Sequence, residues 1–144
     1  MSILKRDKQE NIVIAGCGNI VSYLVSTLCE QTDNISVIDA DGECFTALKT
    51  SSIKSYINGE ATDIDVLETA GIKFADVVVA ATNNDNANVM IAQIAKKYYK
   101  VNTVVAIIED LAKGDLCRDI GIVTISPLML SINQLQLILA NEKK

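Results

Sequence analysis

Apolar and polar positions alternate between two periods along this chain, and the switches between them mark its elements. Ile12 to Ala15 is a short, mostly β-branched run, the pattern of a strand buried on both faces. Gly16 and Gly18 follow it at once. Beyond them Val21, Leu24, Val25 and Leu28 recur at i, i+3, i+4 and i+7, which lays one apolar stripe along a helix reaching about Glu30. Ile35 to Asp39 is a second strand. Asp41-Gly42-Glu43 opens a helix with Phe45 and Leu48 on one face, and Lys54 to Ile57 is a short third strand. The polar turn Asn58 to Asp63 hands over to a helix bearing Val66, Leu67 and Ala70, which Gly71 ends. Asp76 to Ala81 is a fourth strand, and Thr82 to Asn86 is a run of helix-capping residues. The helix they open carries Ile91, Ile94, Ala95 and Tyr98. Thr103 to Ile108 is a fifth strand, Asp110 to Ile120 a helix closed by Gly121, and Ile122 to Ile125 a sixth strand. Pro127 then starts a last helix that runs to about Ala140.

Six strands alternating with helices, with no hairpin signal, predict an α/β fold: a Rossmann-like, doubly wound, parallel six-stranded sheet with helices on both faces. The expected strand order is 3-2-1-4-5-6, with a crevice between the first and fourth strands. The last helix stands apart from this scheme. Leu128, Ile132, Leu135 and Leu139 form one stripe while Leu130 and Leu137 point to the opposite side. Two apolar faces predict that one packs on the helix's own sheet and the other on a partner, hence a dimer or larger ring.

The strand, glycines, helix, strand and terminal Asp39 appear in the order of one βαβ nucleotide-binding unit. A helix N-terminus offers unpaired N–H groups and about half a positive charge, so it holds an anion without a cationic side chain. Gly16 permits the sharp turn out of the strand, and Gly18, lacking a Cβ, lets the backbone approach a pyrophosphate. Asp39 then ends the second strand, where a carboxylate accepts hydrogen bonds from both hydroxyls of an adenosine ribose. No Arg or Lys follows until Lys49, so NAD(H), ATP or ADP are better guests than NADP. Where the third small residue of the glycine pattern belongs, the chain has Val21, which predicts a helix standing slightly further from the strand. In the crevice, Gly16, Cys17, Gly18, Asn19 and Ile20 are expected on one lip and Thr82 and Asn83 on the other, with Ala61 and Thr62 closing over an adenine. Thr82 to Asn84 read equally well as helix caps.

Composition narrows the classes further. At 144 residues, 49% hydrophobic and with one Pro, the chain is long enough for one well-buried domain spanning about residues 11 to 140 after a polar N-terminal extension, residues 1 to 10. A net charge of −5 with scattered basic residues disfavours nucleic acid and anionic membrane surfaces. Met1 to Glu10 lacks the apolar core of a signal peptide, and no apolar run approaches membrane-spanning length. Cys17, Cys29, Cys44 and Cys117 show no C-x-x-C pairing and the chain has no His, so a zinc site is not expected and the cysteines read as small apolar residues in a reducing cytoplasm. Cys17, inside the loop at a helix N-terminus, carries a lesser redox alternative.

Several blocks together resemble a known family. Gly16-Cys17-Gly18-Asn19-Ile20, Val37-Ile38-Asp39-Ala40-Asp41, Gly59-Glu60-Ala61-Thr62-Asp63, Leu67 to Ile72, Ala75-Asp76 and Ala81-Thr82-Asn83-Asn84-Asp85-Asn86-Ala87-Asn88 are similar to the N-terminal domain of the regulator-of-potassium-conductance proteins (RCK, KTN or TrkA-N). Ile125-Ser126-Pro127 looks like that domain's closing strand. The resemblance covers about residues 10 to 140. It implies a cytoplasmic gating subunit, peripheral to the membrane, that binds NAD(H), ATP or ADP as a signal and regulates a membrane potassium transporter or channel as a homodimer or larger ring. It also implies that Gly16 to Ile20 meet the phosphates, Asp39 the ribose, Ala61 and Thr62 the adenine, and Thr82 and Asn83 the far side of the ligand, and that the last helix is a dimerising crossover. Many members carry an Arg at the end of the fifth strand and some carry one after the second glycine; here these are Ile107 and Asn19, which weakens the expectation of a triphosphate. Members usually continue into a further ligand-binding domain, so a chain ending at Lys144 is read as a single-domain regulator or the first part of a longer one.

The competing readings are an NAD-dependent oxidoreductase fragment and a scaffold with a vestigial pocket. The first lacks a His or other evident acid–base group and a substrate domain, so no enzyme activity is expected. A methyltransferase would add an antiparallel hairpin that the pattern does not contain.

Overall fold

The apolar runs fold as strands because each is short, β-branched and bounded by polar turns. The computed structural model describes residues 10–28, 30, 34–48 and 53–142; most of the N-terminal extension, Cys29 and Lys49 lie outside the described residues. Six parallel strands, β1 (Ile12–Ala15), β2 (Ile35–Asp39), β3 (Ile53–Asn58), β4 (Val77–Ala80), β5 (Thr103–Ile107) and β6 (Val123–Ile125), form one sheet in the order β3-β2-β1-β4-β5-β6. The central strand β1 pairs Ile12 with Ile35 on one side and with Val77 on the other. It is buried along its whole length.

Alternation along β1 sends its side chains to two separate cores. Ile12 and Ile14 pack with Val21, Val25 and Leu28 of α1 (Asn19–Leu28). Val13 and Ala15 pack on the other face, with Leu67 of α2 (Ile64–Thr69), Ile91 and Ala92 of α3 (Asp85–Gln93) and Cys117 of α4 (Leu111–Asp119). Helices therefore lie on both faces. Three of them start on a side-chain cap, the one at Asn84 as expected: the carboxylates of Asp63 and Asp110 accept from the N–H groups of Asp65 and Lys113, and the Asn84 carboxamide oxygen accepts from Ala87. After β2 the expected helix is a 3-10 stretch, Gly42–Ala47, with no buried residue. α3 runs on as a π-helical turn, Ile94–Tyr98.

The last helix, α5 (Pro127–Glu142), corrects one expectation. Neither face packs on its own sheet: the helix buries no residue, and Leu128, Leu130, Leu135, Leu137 and Leu139 are all exposed. The sheet has a matching gap. On the α1 side, Val105 and Ile107 of β5 are half-buried and Val123 and Ile125 of β6 are exposed. The helix thus leaves the β5–β6 face open, and two apolar surfaces stand uncovered within the single chain.

Candidate functional site

The carboxyl ends of β1 and β4 lie side by side, and their connections part there, with α1 on one face and α3 on the other. A parallel sheet opens a crevice at such a point. Two adjoining clefts occupy it. The first, of about 470 Å³, is lined by Gly18, Asp39, Ala61, Thr62, Thr82 and Asn83 among others. The second, of about 410 Å³, takes in Gly18, Asn19, Ile20, Ile107, Glu109 and Pro127. They share Gly18, Ala81, Thr82 and Asn83. Each lies in the size range of small-molecule sites, roughly 300–1,000 Å³, and through the shared residues they form one trough. Eight of the ten residues expected at the site line it; Gly16 and Cys17 line neither cleft.

The two glycines do different work. Gly16 has φ +105°, and a Cβ there would stand 2.3 Å from the carbonyl oxygen of Ala81. It lets the chain leave β1 hard against the end of β4. Gly18 has no such constraint, since a Cβ would meet nothing within 4 Å. Its bareness instead keeps open the floor common to both clefts.

Asp39, at the end of β2, is held from the protein side. Its Oδ2 accepts from the Cys17 N–H at 3.0 Å and its Oδ1 from the Asp41 N–H at 2.8 Å. Two backbone donors fix the carboxylate's orientation at the cleft wall, and each oxygen keeps a further lone pair.

The opposite lip is set by a residue that the sequence reading left without a role. Asn88 is 1% exposed. Its Oδ1 accepts from the Thr82 N–H at 2.9 Å and from the Thr82 hydroxyl at 2.6 Å. Its Nδ2 donates to the carbonyls of Thr82 at 3.1 Å and Ile107 at 2.7 Å. One carboxamide thus ties the β4–α3 loop to the end of β5. Asn88→Ala is expected to lower thermal stability by about 2–4 kcal/mol, because buried carbonyls and an N–H lose their partner. A thermal melt indistinguishable from that of the parent would exclude this role.

The second cleft reaches the root of the projecting helix. Glu109 accepts from the Ser126 hydroxyl at 2.7 Å through Oε2 and from the Leu128 N–H at 3.4 Å through Oε1. A carboxylate at that helix N-terminus complements its dipole, and Pro127 occupies the first helical position. Neither cleft has a Lys or Arg in its lining. The polar lining consists of backbone groups, hydroxyls and carboxamides, beside the carboxylates of Asp39, Glu60, Asp85 and Glu109.

Two of the cysteines differ from expectation. Cys17 and Cys44 are joined as a disulfide, with Cα atoms 6.1 Å apart; the partners come together only because the 3-10 stretch folds back over the end of β2. Their sulfurs and an Asp39 oxygen lie within 4.8 Å of one another, but with the sulfurs bonded to each other no thiolate remains for a metal. Cys117 is buried in the core and free.

The family model of the TrkA-N domain matches residues 12–127. The Trk system potassium uptake protein TrkA of Streptomyces coelicolor is 32% identical over 125 residues, which are 87% of this chain and 56% of that protein. Among solved structures, the TrkA-N domain of the inner membrane protein ybaL of Escherichia coli has a TM-score of 0.75 at 16% identity, covering 92% of this chain and 98% of that one. The GsuK channel bound to NAD has a TM-score of 0.66 at 20% identity, covering 87% of this chain and 22% of that one, and GsuK has also been solved bound to ADP. The chain spans about half the length, or less, of the curated relatives it matches.

Proposed function

The chain belongs to the TrkA-N domain family, and from that premise we propose that it is a nucleotide-sensing regulatory domain of a potassium channel or transporter, with no catalysis of its own. One observation carries the reading: a cleft of about 470 Å³ at the carboxyl ends of β1 and β4 is lined by both an oriented carboxylate, Asp39, and a bare stretch of backbone, Gly18. Asp39 takes the ribose, Gly18 to Ile20 the phosphates, Ala61 and Thr62 the adenine, and Thr82 and Asn83 the far part of the ligand; Gly16 and Cys17 shape the loop from behind. That GsuK is known bound to NAD and to ADP supports a nucleotide as the guest. The cation-free lining favours ligands with fewer phosphate charges, so NAD(H) and ADP rank above ATP.

The partner is a membrane potassium transporter or channel subunit, and the working form is a homodimer or larger ring in which a second copy covers the apolar α5 and the open β5–β6 face. The second cleft connects ligand to assembly. A nucleotide lying against Glu109 and Pro127 touches the root of α5, so its differential affinity for two settings of that helix biases the ring.

Titration calorimetry with NADH, NAD, ADP and ATP tests this reading, with ATP expected to bind weakest. No heat from any of them at millimolar concentration would leave a scaffold with an unused pocket. Turnover of a nicotinamide substrate would instead favour an oxidoreductase fragment.

A further inference from the structure

We infer that Cys17 and Cys44 form a reversible thiol–disulfide site that fastens the phosphate loop to the end of β2 and so sets how well the trough is organised for its ligand. The bond lies at the site but outside its lining. Cys17 is the middle residue of the Gly16–Gly18 loop, and its own N–H holds Asp39. Cys44 belongs to the 3-10 stretch, which buries no residue of its own. That stretch is also held at its far end: Phe45 lies tilted against Tyr56 with ring centroids 5.3 Å apart, the Tyr56 hydroxyl donates to the Leu48 carbonyl at 2.6 Å, and Leu48 is buried in the core on the α1 side. A cross-link here therefore joins a turn with no buried residue of its own to the loop whose backbone orients the Asp39 carboxylate.

Access is unequal, which gives the chemistry an order. Cys44 is partly exposed, whereas Cys17 is 4% exposed. In closure, the Cys44 thiolate attacks a sulfur of a low-molecular-weight disulfide, releasing one small thiol and leaving a mixed disulfide on Cys44. The Cys17 thiolate then attacks the Cys44 sulfur and expels the second small thiol. Two electrons pass from the protein pair to the small disulfide, and the two protons lost by the protein thiols end on the two released thiols. Opening is the reverse. Cys117 is a poor competitor, since it is fully buried and burial pushes its thiol up.

The coupling to ligand rests on the nucleotide reading. The closed bond holds the loop in the arrangement that the ligand needs, so the oxidised chain is expected to bind its nucleotide about three- to tenfold tighter, and by reciprocity nucleotide shifts the exchange equilibrium toward the disulfide by the same factor.

The test equilibrates the purified chain in glutathione buffers of graded reduced-to-oxidised ratio, quenches with acid, and reads the loss of two hydrogens by intact mass and the linked peptides by non-reducing digestion. A single transition within the series, with the bond mapped to Cys17 and Cys44, is expected. A bond that stays closed in fully reduced glutathione while the chain is folded would make it a fixed brace, and one that never forms or links another pair would remove the site; either overturns the inference. Calorimetry with NADH on both forms then reads the coupling. Equal affinities overturn it, and Cys44→Ser is expected to bind with the weaker affinity whatever the glutathione ratio. Absence of nucleotide binding in both forms would count against the proposed function alone, because the exchange titration decides the thiol pair without it.

Discussion

Gly16→Ala is expected to destabilise the chain by about 2–6 kcal/mol, the sum of roughly 1–3 kcal/mol for a non-glycine residue held at positive φ and a similar cost for forcing an atom into a packed contact. Both causes are visible at the one position: φ is +105°, and the added Cβ would lie 2.3 Å from the Ala81 carbonyl oxygen and 2.6 Å from its carbon. Neither neighbour is a side chain that could swing away. Both belong to the backbone at the end of β4, whose N–H at Ala81 donates to the Ala15 carbonyl at 2.8 Å, while the Gly16 N–H donates to Ile38 at 2.7 Å. Relief requires prising β1 from β4 or β2 at the centre of the sheet. Against a typical domain stability of about 5–15 kcal/mol, such a loss is a large fraction of the total. Gly18→Ala supplies the contrast. Its Cβ finds open space, so the fold is expected to melt at nearly the parental temperature while ligand affinity falls, because the new methyl stands on the floor shared by the two clefts. Thermal melts of the two variants, followed by circular dichroism, check the pair. A Gly16→Ala protein as stable as the parent would show that the sheet accommodates the methyl and would remove the steric argument for this glycine.

That contrast also marks where the sequence was informative. The strand order and the central place of β1 were legible because Ile12 to Ala15 and Val77 to Ala80 are unbroken apolar runs, and only strands buried on both faces need such runs. The cap at Asn84 was legible for an equally local reason, the polar run Thr82 to Asn86, and Asp63 and Asp110 were legible as the starts of their helices. What a linear pattern does not contain is the meeting of distant residues. Cys17 and Cys44 are 27 positions apart, and no spacing rule joins them. The last helix shows the same blindness from the other direction: two apolar faces state that something must cover them, but not that the helix's own sheet covers neither. Asn88 did leave a signal. It sits on the same stripe of α3 as Ile91, Ala92 and Ala95, all buried, and a carboxamide in an apolar stripe implies buried partners.

Asp39→Ala is expected to weaken adenosine nucleotide binding by about 100-fold, since two hydrogen bonds to a carboxylate at roughly 1.5 kcal/mol each amount to about 3 kcal/mol. The substitution also removes the acceptor of the Cys17 and Asp41 N–H groups, so a loss of affinity could arise from a displaced loop. The ligand itself separates the two causes. A nucleotide lacking the ribose 2′-hydroxyl withholds one donor from Asp39 without touching the protein, and the parent chain is expected to bind it about tenfold more weakly than the ribonucleotide. If Asp39 is the ribose anchor, the Asp39→Ala chain loses that preference and binds both forms alike. If the loop alone has shifted, both forms weaken together and the tenfold preference survives. The cycle thus reads the hydroxyl–carboxylate contact as an interaction energy, free of whatever else the mutation does. A variant that keeps parental affinity, or keeps the full preference for ribose, would place the sugar elsewhere in the trough and leave Asp39 as a brace for the loop.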